Sequence, residues 1–167
     1  SMGVSIAPMK QVTEIPRRHN AVLYIGDAHA TAVMGEQGRG TVLEAMGSYD
    51  NTLVVGCLSK ACSVFGAFVA CSHEFQRLLK MNSNTYIFGG PVPPPYLEAI
   101  STVVDILTSP DYYILRAQLD QNITHMVSGL AELALAVLGG RSQTISVLVA
   151  DQGDTYRAVQ FGLDQGY

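Results

Sequence analysis

The chain has 167 residues, a formal net charge of -4, 48% hydrophobic residues and 14% charged residues. That length accommodates one domain with a real core, and mild acidity without a basic patch argues against a nucleic-acid partner. The charged fraction falls well below the roughly 25% of a typical soluble domain, which implies surface made to be covered by further chain or by a partner.

Pro8 to His19 reads as a helix that Pro16 should kink or shorten. Ala21 to Ile25 is a continuous apolar run and reads as a buried parallel strand. Gly26 to Gly40 is a loop whose Gly35, Gly38 and Gly40 suit positive φ rather than a dinucleotide fingerprint. Thr41 to Met46 is a short helix. Thr52 to Leu58 and Gly66 to Cys71 are two further buried strands, neighbours of the first in one sheet. Ser72 is the N-cap of a helix from His73 to Met81.

Thr85 to Phe88 reads as a short strand, and Pro91, Pro93, Pro94 and Pro95 then break the pattern. A helix follows to about Leu107. A long helix runs from about Asp111 to Leu138, closed by Gly139-Gly140. Thr144 to Ala150 is a strand and Gly153 to Leu163 a helix. The alternation predicts an α/β fold with a largely parallel sheet. Residues 1–110 would form one domain portion, 111–140 a connecting helix and 141–167 the start of a second domain. Both ends lie inside the pattern, as expected of a piece of something longer.

Cys57, Cys62 and Cys71 have no metal-ligand spacing and read as small buried hydrophobes in a reducing compartment. His19, His73 and His125 are scattered over helices, in capping or solvated roles. The most apolar run, Val127 to Leu138, contains Glu132 and is too short to span a bilayer. With no signal peptide at the start, the expected location is the cytoplasm.

Ligands of α/β sheets bind at the C-terminal ends of the strands. The first strand delivers Gly26-Asp27-Ala28-His29 and the second Cys57-Leu58-Ser59-Lys60. A lysine at one strand end and an imidazole at the next can hold an aldehyde cofactor, because a desolvated lysine forms a Schiff base. On spacing alone, a solvated lysine and a core histidine explain the same residues.

The surrounding letters add a resemblance. Asp27-Ala-His-Ala-Thr31, Gly35-Glu-Gln-Gly-Arg-Gly40, Leu58-Ser-Lys-Ala61 and Phe65-Gly66, in that order and spacing, closely resemble the α-oxoamine synthases. Ser1-Met2 with Ile6-Ala7-Pro8, Tyr86-Ile-Phe88 and Pro93-Pro94 look like further landmarks of that family. The resemblance implies part of the large domain of a fold-type-I, aspartate-aminotransferase-like enzyme, plus the start of its small domain. It implies pyridoxal phosphate as cofactor, with Lys60 forming the internal aldimine, His29 bonded to the phenolic oxygen and Ser1 contacting the cofactor. The implied reaction is decarboxylative condensation of an amino acid with an acyl-CoA, in an active site shared between two subunits of a homodimer.

The sequence also departs from the family. Gly26 stands where an aspartate would pair with the pyridinium nitrogen, and Cys57 stands where a threonine would bind phosphate. Ser63-Val64 replaces glycines, and Gly89-Gly90 replaces a serine-threonine pair. Asp27 should not replace the missing acid, because adjacent strand residues point to opposite faces. The expected activity is that of a pyridoxal-phosphate-dependent C-acyltransferase. The alternatives are a catalytically weak or silent homologue serving as a structural or regulatory subunit, and a fold-type-I aminotransferase.

Overall fold

A computed structural model describes residues 5–139 and 142–167. Two compact units divide the chain: Ala7–Arg116, and Ala117–Tyr167 together with Ser5 and Ile6.

The first unit opens with α1 (Met9–His19), which runs unbroken through Pro16 and closes on Asn20 in the left-handed conformation (φ 47°). The anticipated shortening at Pro16 does not occur. Three strands then build one sheet in the order β1 (Leu23–Gly26), β2 (Thr52–Cys57), β3 (Ala67–Ala70). β1 and β2 are parallel, with Gly26 opposite Val55; β2 and β3 are antiparallel, with Cys57 opposite Ala67. The three segments are therefore neighbours in one sheet, as the sequence implied, but the sheet is mixed. The link between β2 and β3 is only nine residues long, 58–66, too short for the crossover that a parallel pairing requires.

Uniform burial of the three strands does not hold. Only β2 alternates buried with half-buried residues; β1 is half to fully exposed, and β3 is almost wholly exposed. The core forms on one face, where α1 and α2 (Thr41–Met46) bring Met9 and Val42 onto Val54. Ile25, Ala45, Met46, Tyr49 and Ala70 pack around that contact. Tyr24 on β1 is 70% exposed. Parallel strands such as β1 and β2 are ordinarily covered on both faces, so the exposure of β1 agrees with the low charge of the chain.

Further helices of the first unit are α3 (His73–Asn82), α4 (Asn84–Phe88) and α5 (Pro94–Thr108). Ser72 caps α3 by accepting from the Phe75 N–H, as its position implied. The stretch expected as a strand, Thr85 to Phe88, is helix α4 instead. Its β-favouring side chains are overridden by Ser83, whose hydroxyl accepts from the Tyr86 N–H at 3.4 Å, and among the described residues no strand pairs with it.

α6 (Asp111–Glu132) begins in the first unit and ends in the second. It stops six residues short of the expected end at Leu138. Ala134 takes a left-handed φ of 54°, and the β-branched Val137 enters a two-stranded ladder. In that ladder β4 (Val137–Leu138) pairs antiparallel with β5 (Ser146–Val147), so the strand expected over Thr144 to Ala150 shrinks to two residues. Gly140 lies outside the described residues. The last helix, α7 (Gln152–Asp164), is capped by Asp151, whose carboxylate accepts from the Asp154 N–H at 2.8 Å.

Candidate functional site

The parallel pairing of β1 with β2 sets the geometry of the site. Both strands end on the same edge of the sheet, and each is followed by a chemistry-bearing segment. His29 lies three positions beyond the end of β1, and Lys60 three positions beyond the end of β2. Both residues are exposed. Ser1 lies outside the described residues. Lys60 sits in the tight connection to β3, where Leu58 donates to the Gly66 carbonyl, Val64 to the Leu58 carbonyl and Ser63 to the Lys60 carbonyl.

Ser63 in that connection has a φ of 51°, a conformation that favours glycine. A serine there stores strain of about 1 kcal/mol, which gives a physical reason for a glycine at this turn. On β2, Gly56 lets the Phe68 ring from β3 lie over the backbone; a Cβ there would displace the ring.

Asp27 links two parts of the site. Its carboxylate is buried and accepts from the Thr41 N–H at 2.7 Å and from the Thr41 hydroxyl at 2.8 Å. Thr41 is the first residue of α2, whose N-cap Gly40 offers no side chain. Asp27 therefore caps that helix from 14 residues upstream and meets the positive end of its dipole. Gly40 has φ +90°, and a Cβ there would collide with the Asp27 carboxylate, so the glycine makes the approach possible. The Asp27 carbonyl accepts from the Ala30 N–H, the Thr31 N–H and the Thr31 hydroxyl, closing the turn that carries His29. Nearby, burial pushes the Tyr49 hydroxyl pKa up, the Asp27 carboxylate adds to that, and Arg39 partly offsets it.

Gly26 presents the opposite situation. A Cβ built there meets nothing within 4 Å, and its backbone is outside the left-handed region. The face of β1 that Gly26 offers is open, whereas the neighbouring Asp27 side chain is committed to α2.

Cys57, Cys62 and Cys71, expected as small buried hydrophobes, are only half-buried, and Cys57 has a polar partner. Its sulfur lies 2.8 Å from the Ser59 hydroxyl. That hydrogen bond lowers the Cys57 pKa, the Ser59 N–H adds to the effect, burial opposes it and Lys60 lowers it further. Burial and the Cys57 charge raise the Cys62 pKa. Iodoacetamide at pH 7 should therefore label Cys57 ahead of Cys62, since the thiolate is the nucleophile. Ser59→Ala should slow labelling of Cys57 by a few-fold. Peptide mass spectrometry over a time course checks both, and equal rates at the two thiols would refute the assignment. Among the described residues no group of three or more His, Cys, Asp or Glu side chains is arranged to hold a metal ion.

A parallel strand pair in a sheet with helices between and after its strands defines an α/β protein. The chain belongs to the aminotransferase class I and II family, whose sequence pattern matches residues 2–161. It is similar to 8-amino-7-oxononanoate synthase of Geobacter sulfurreducens, with 31% identity over 167 residues, covering 100% of this chain and 43% of the relative. Among solved structures it matches a Sphingomonas wittichii serine palmitoyltransferase with TM-score 0.88 and 27% identity, over 99% of this chain and 42% of the other. A structure of SPT with PLP internal aldimine matches equally well, with TM-score 0.88, 28% identity and the same coverage. The chain thus spans less than half the length of these relatives. No helix among the described residues is long and apolar enough to cross a membrane.

Proposed function

We propose that the chain is the cofactor-bearing segment of a pyridoxal-phosphate-dependent acyltransferase, which condenses an amino acid with an acyl-CoA with loss of carbon dioxide. One observation carries the reading: Lys60 and His29 follow the ends of two hydrogen-bonded parallel strands, within a match that extends over the whole chain. Lys60 would hold the aldehyde carbon of the cofactor through its amine, and His29 would hydrogen-bond the phenolic oxygen. Ser1 would add a contact from the N-terminal side. Bound, the cofactor supplies an electron sink for the carbon left by decarboxylation. Asp27 fixes the turn that orients His29, and Thr41 fixes Asp27. The residues fit the aldehyde end of the cofactor; at the ring-nitrogen end, Gly26 offers no carboxylate.

Residues 1–110 would be part of the large domain, 111–140 the connecting segment and 141–167 the start of the small domain. The exposed apolar residues of α4, with Phe88 at 82% exposure, support a homodimer or larger assembly. A cytoplasmic location fits three unpaired thiols. The open face at Gly26 supports a second reading, a catalytically weak subunit. An aminotransferase is the third; it would need an arginine for the substrate carboxylate.

The test is carried out on the full polypeptide that carries this chain, supplied with pyridoxal phosphate. The expected result is a visible absorbance band removed by borohydride, CoA release that requires both an amino acid and an acyl-CoA, and a dimer by light scattering. A band without CoA release moves the assignment to the silent subunit or, with amino transfer to an oxo acid, to the aminotransferase. No band under any condition ends the cofactor reading.

A further inference from the structure

We infer that Gly26 leaves the ring nitrogen of bound pyridoxal phosphate without a carboxylate partner, so that this chain carries its cofactor with that nitrogen unprotonated. The inference rests on the cofactor reading above and concerns one residue of this chain. A group held by Lys60 and His29 would lie across the ends of β1 and β2, and Gly26 is the last residue of β1. A side chain at that position would enter open space.

The acid next door cannot take over. Successive residues of a strand point to opposite faces, and both Asp27 oxygens are occupied by the Thr41 N–H and hydroxyl. Turning Asp27 toward the face of Gly26 would break both bonds and strip the N-terminus of α2 of this side-chain cap, which Gly40 cannot supply. An anion within hydrogen-bond reach is what raises the basicity of such a nitrogen. With Gly26 in place, β1 brings none.

Gly26→Asp can supply the carboxylate without disturbing the fold, because the backbone there is unstrained and a Cβ meets nothing. The full polypeptide is loaded with pyridoxal phosphate labelled with 15N at the ring. Wild type, Gly26→Asp and Gly26→Asn are compared by the ring 15N chemical shift, by Kd from absorbance titration and by thermal melts. The expected result is an unprotonated shift in wild type and in Gly26→Asn, and a protonated shift in Gly26→Asp. Affinity should tighten about tenfold in Gly26→Asp alone, equivalent to about 1.4 kcal/mol.

A protonated nitrogen in wild type would overturn the inference, showing that another group reaches it. So would a well-folded Gly26→Asp with unchanged shift. Binding by Gly26→Asp alone would overturn it as well, because the Gly26 chain would then carry no cofactor whose nitrogen could be unprotonated. Absence of binding in all three forms, with no borohydride-fixed label on Lys60, would instead bring down the cofactor reading and the inference with it.

Discussion

Replacing Lys60 by alanine in the full polypeptide should remove the visible cofactor band and reduce kcat/KM by at least about 10³-fold, while leaving the fold in place. A Schiff-base lysine is a nucleophile that no neighbour can replace, so the loss is of the kind seen when a covalent catalyst is deleted. Lys60→Arg should fail equally, because a guanidinium stays protonated and cannot attack an aldehyde. Stability should hardly move. Lys60 is exposed in the β2–β3 connection, whose backbone bonds run through Leu58, Val64 and Gly66. Exposed substitutions of this kind cost within about 0.5 kcal/mol, or about 1–2 °C in Tm for a chain of this size. Absorbance, borohydride trapping with peptide mapping and a thermal melt check the three parts. A band that survives in Lys60→Ala would assign the aldehyde to another amine.

Asp27→Ala should lower stability by about 3 kcal/mol. The buried carboxylate makes two bonds to Thr41. Removing it leaves the first N–H of α2 and a hydroxyl unsatisfied, costs a cap worth about 1 kcal/mol, and forfeits charge-assisted bonds worth about 1.5–3 kcal/mol. Against a total of about 5–15 kcal/mol for a folded domain, that is a large fraction. Asp27→Asn should cost less, since one oxygen can still accept. The consequence should reach function, because the Asp27 carbonyl closes the turn that presents His29. Urea unfolding with an unchanged m-value measures the loss. A double-mutant cycle with Thr41→Val should show a coupling of at least about 1 kcal/mol. Independent, additive effects would mean that Asp27 acts without Thr41.

Much of this was legible in the letters. Thr41–Met46 has the bounds its pattern implied, and Ser72 caps its helix as a serine before an amphipathic run should. The three strands of the sheet were found because four to seven apolar residues between turn signals have few other uses. Thr85 to Phe88 misled because Thr, Tyr, Ile and Phe favour strands only where a partner strand exists; here Ser83 starts a helix. The end of α6 was missed for the converse reason. Apolar residues keep helical spacing to Leu138, but Val147 and Ser146 draw Val137 and Leu138 into a ladder.

The sequence by itself determined which residues could carry chemistry. Lys60 and His29 stand out as candidates because short motifs at strand ends are local, and their order along the chain is readable without any knowledge of contacts. Only the tertiary structure decided what surrounds them. The antiparallel return of β3 and the capture of Thr41 by Asp27 join residues apart in the chain, and the open face at Gly26 is where the fold brings no such partner. Backbone donors and buried carboxylates are satisfied by whichever partner the fold brings within 3 Å, and no local pattern names that partner.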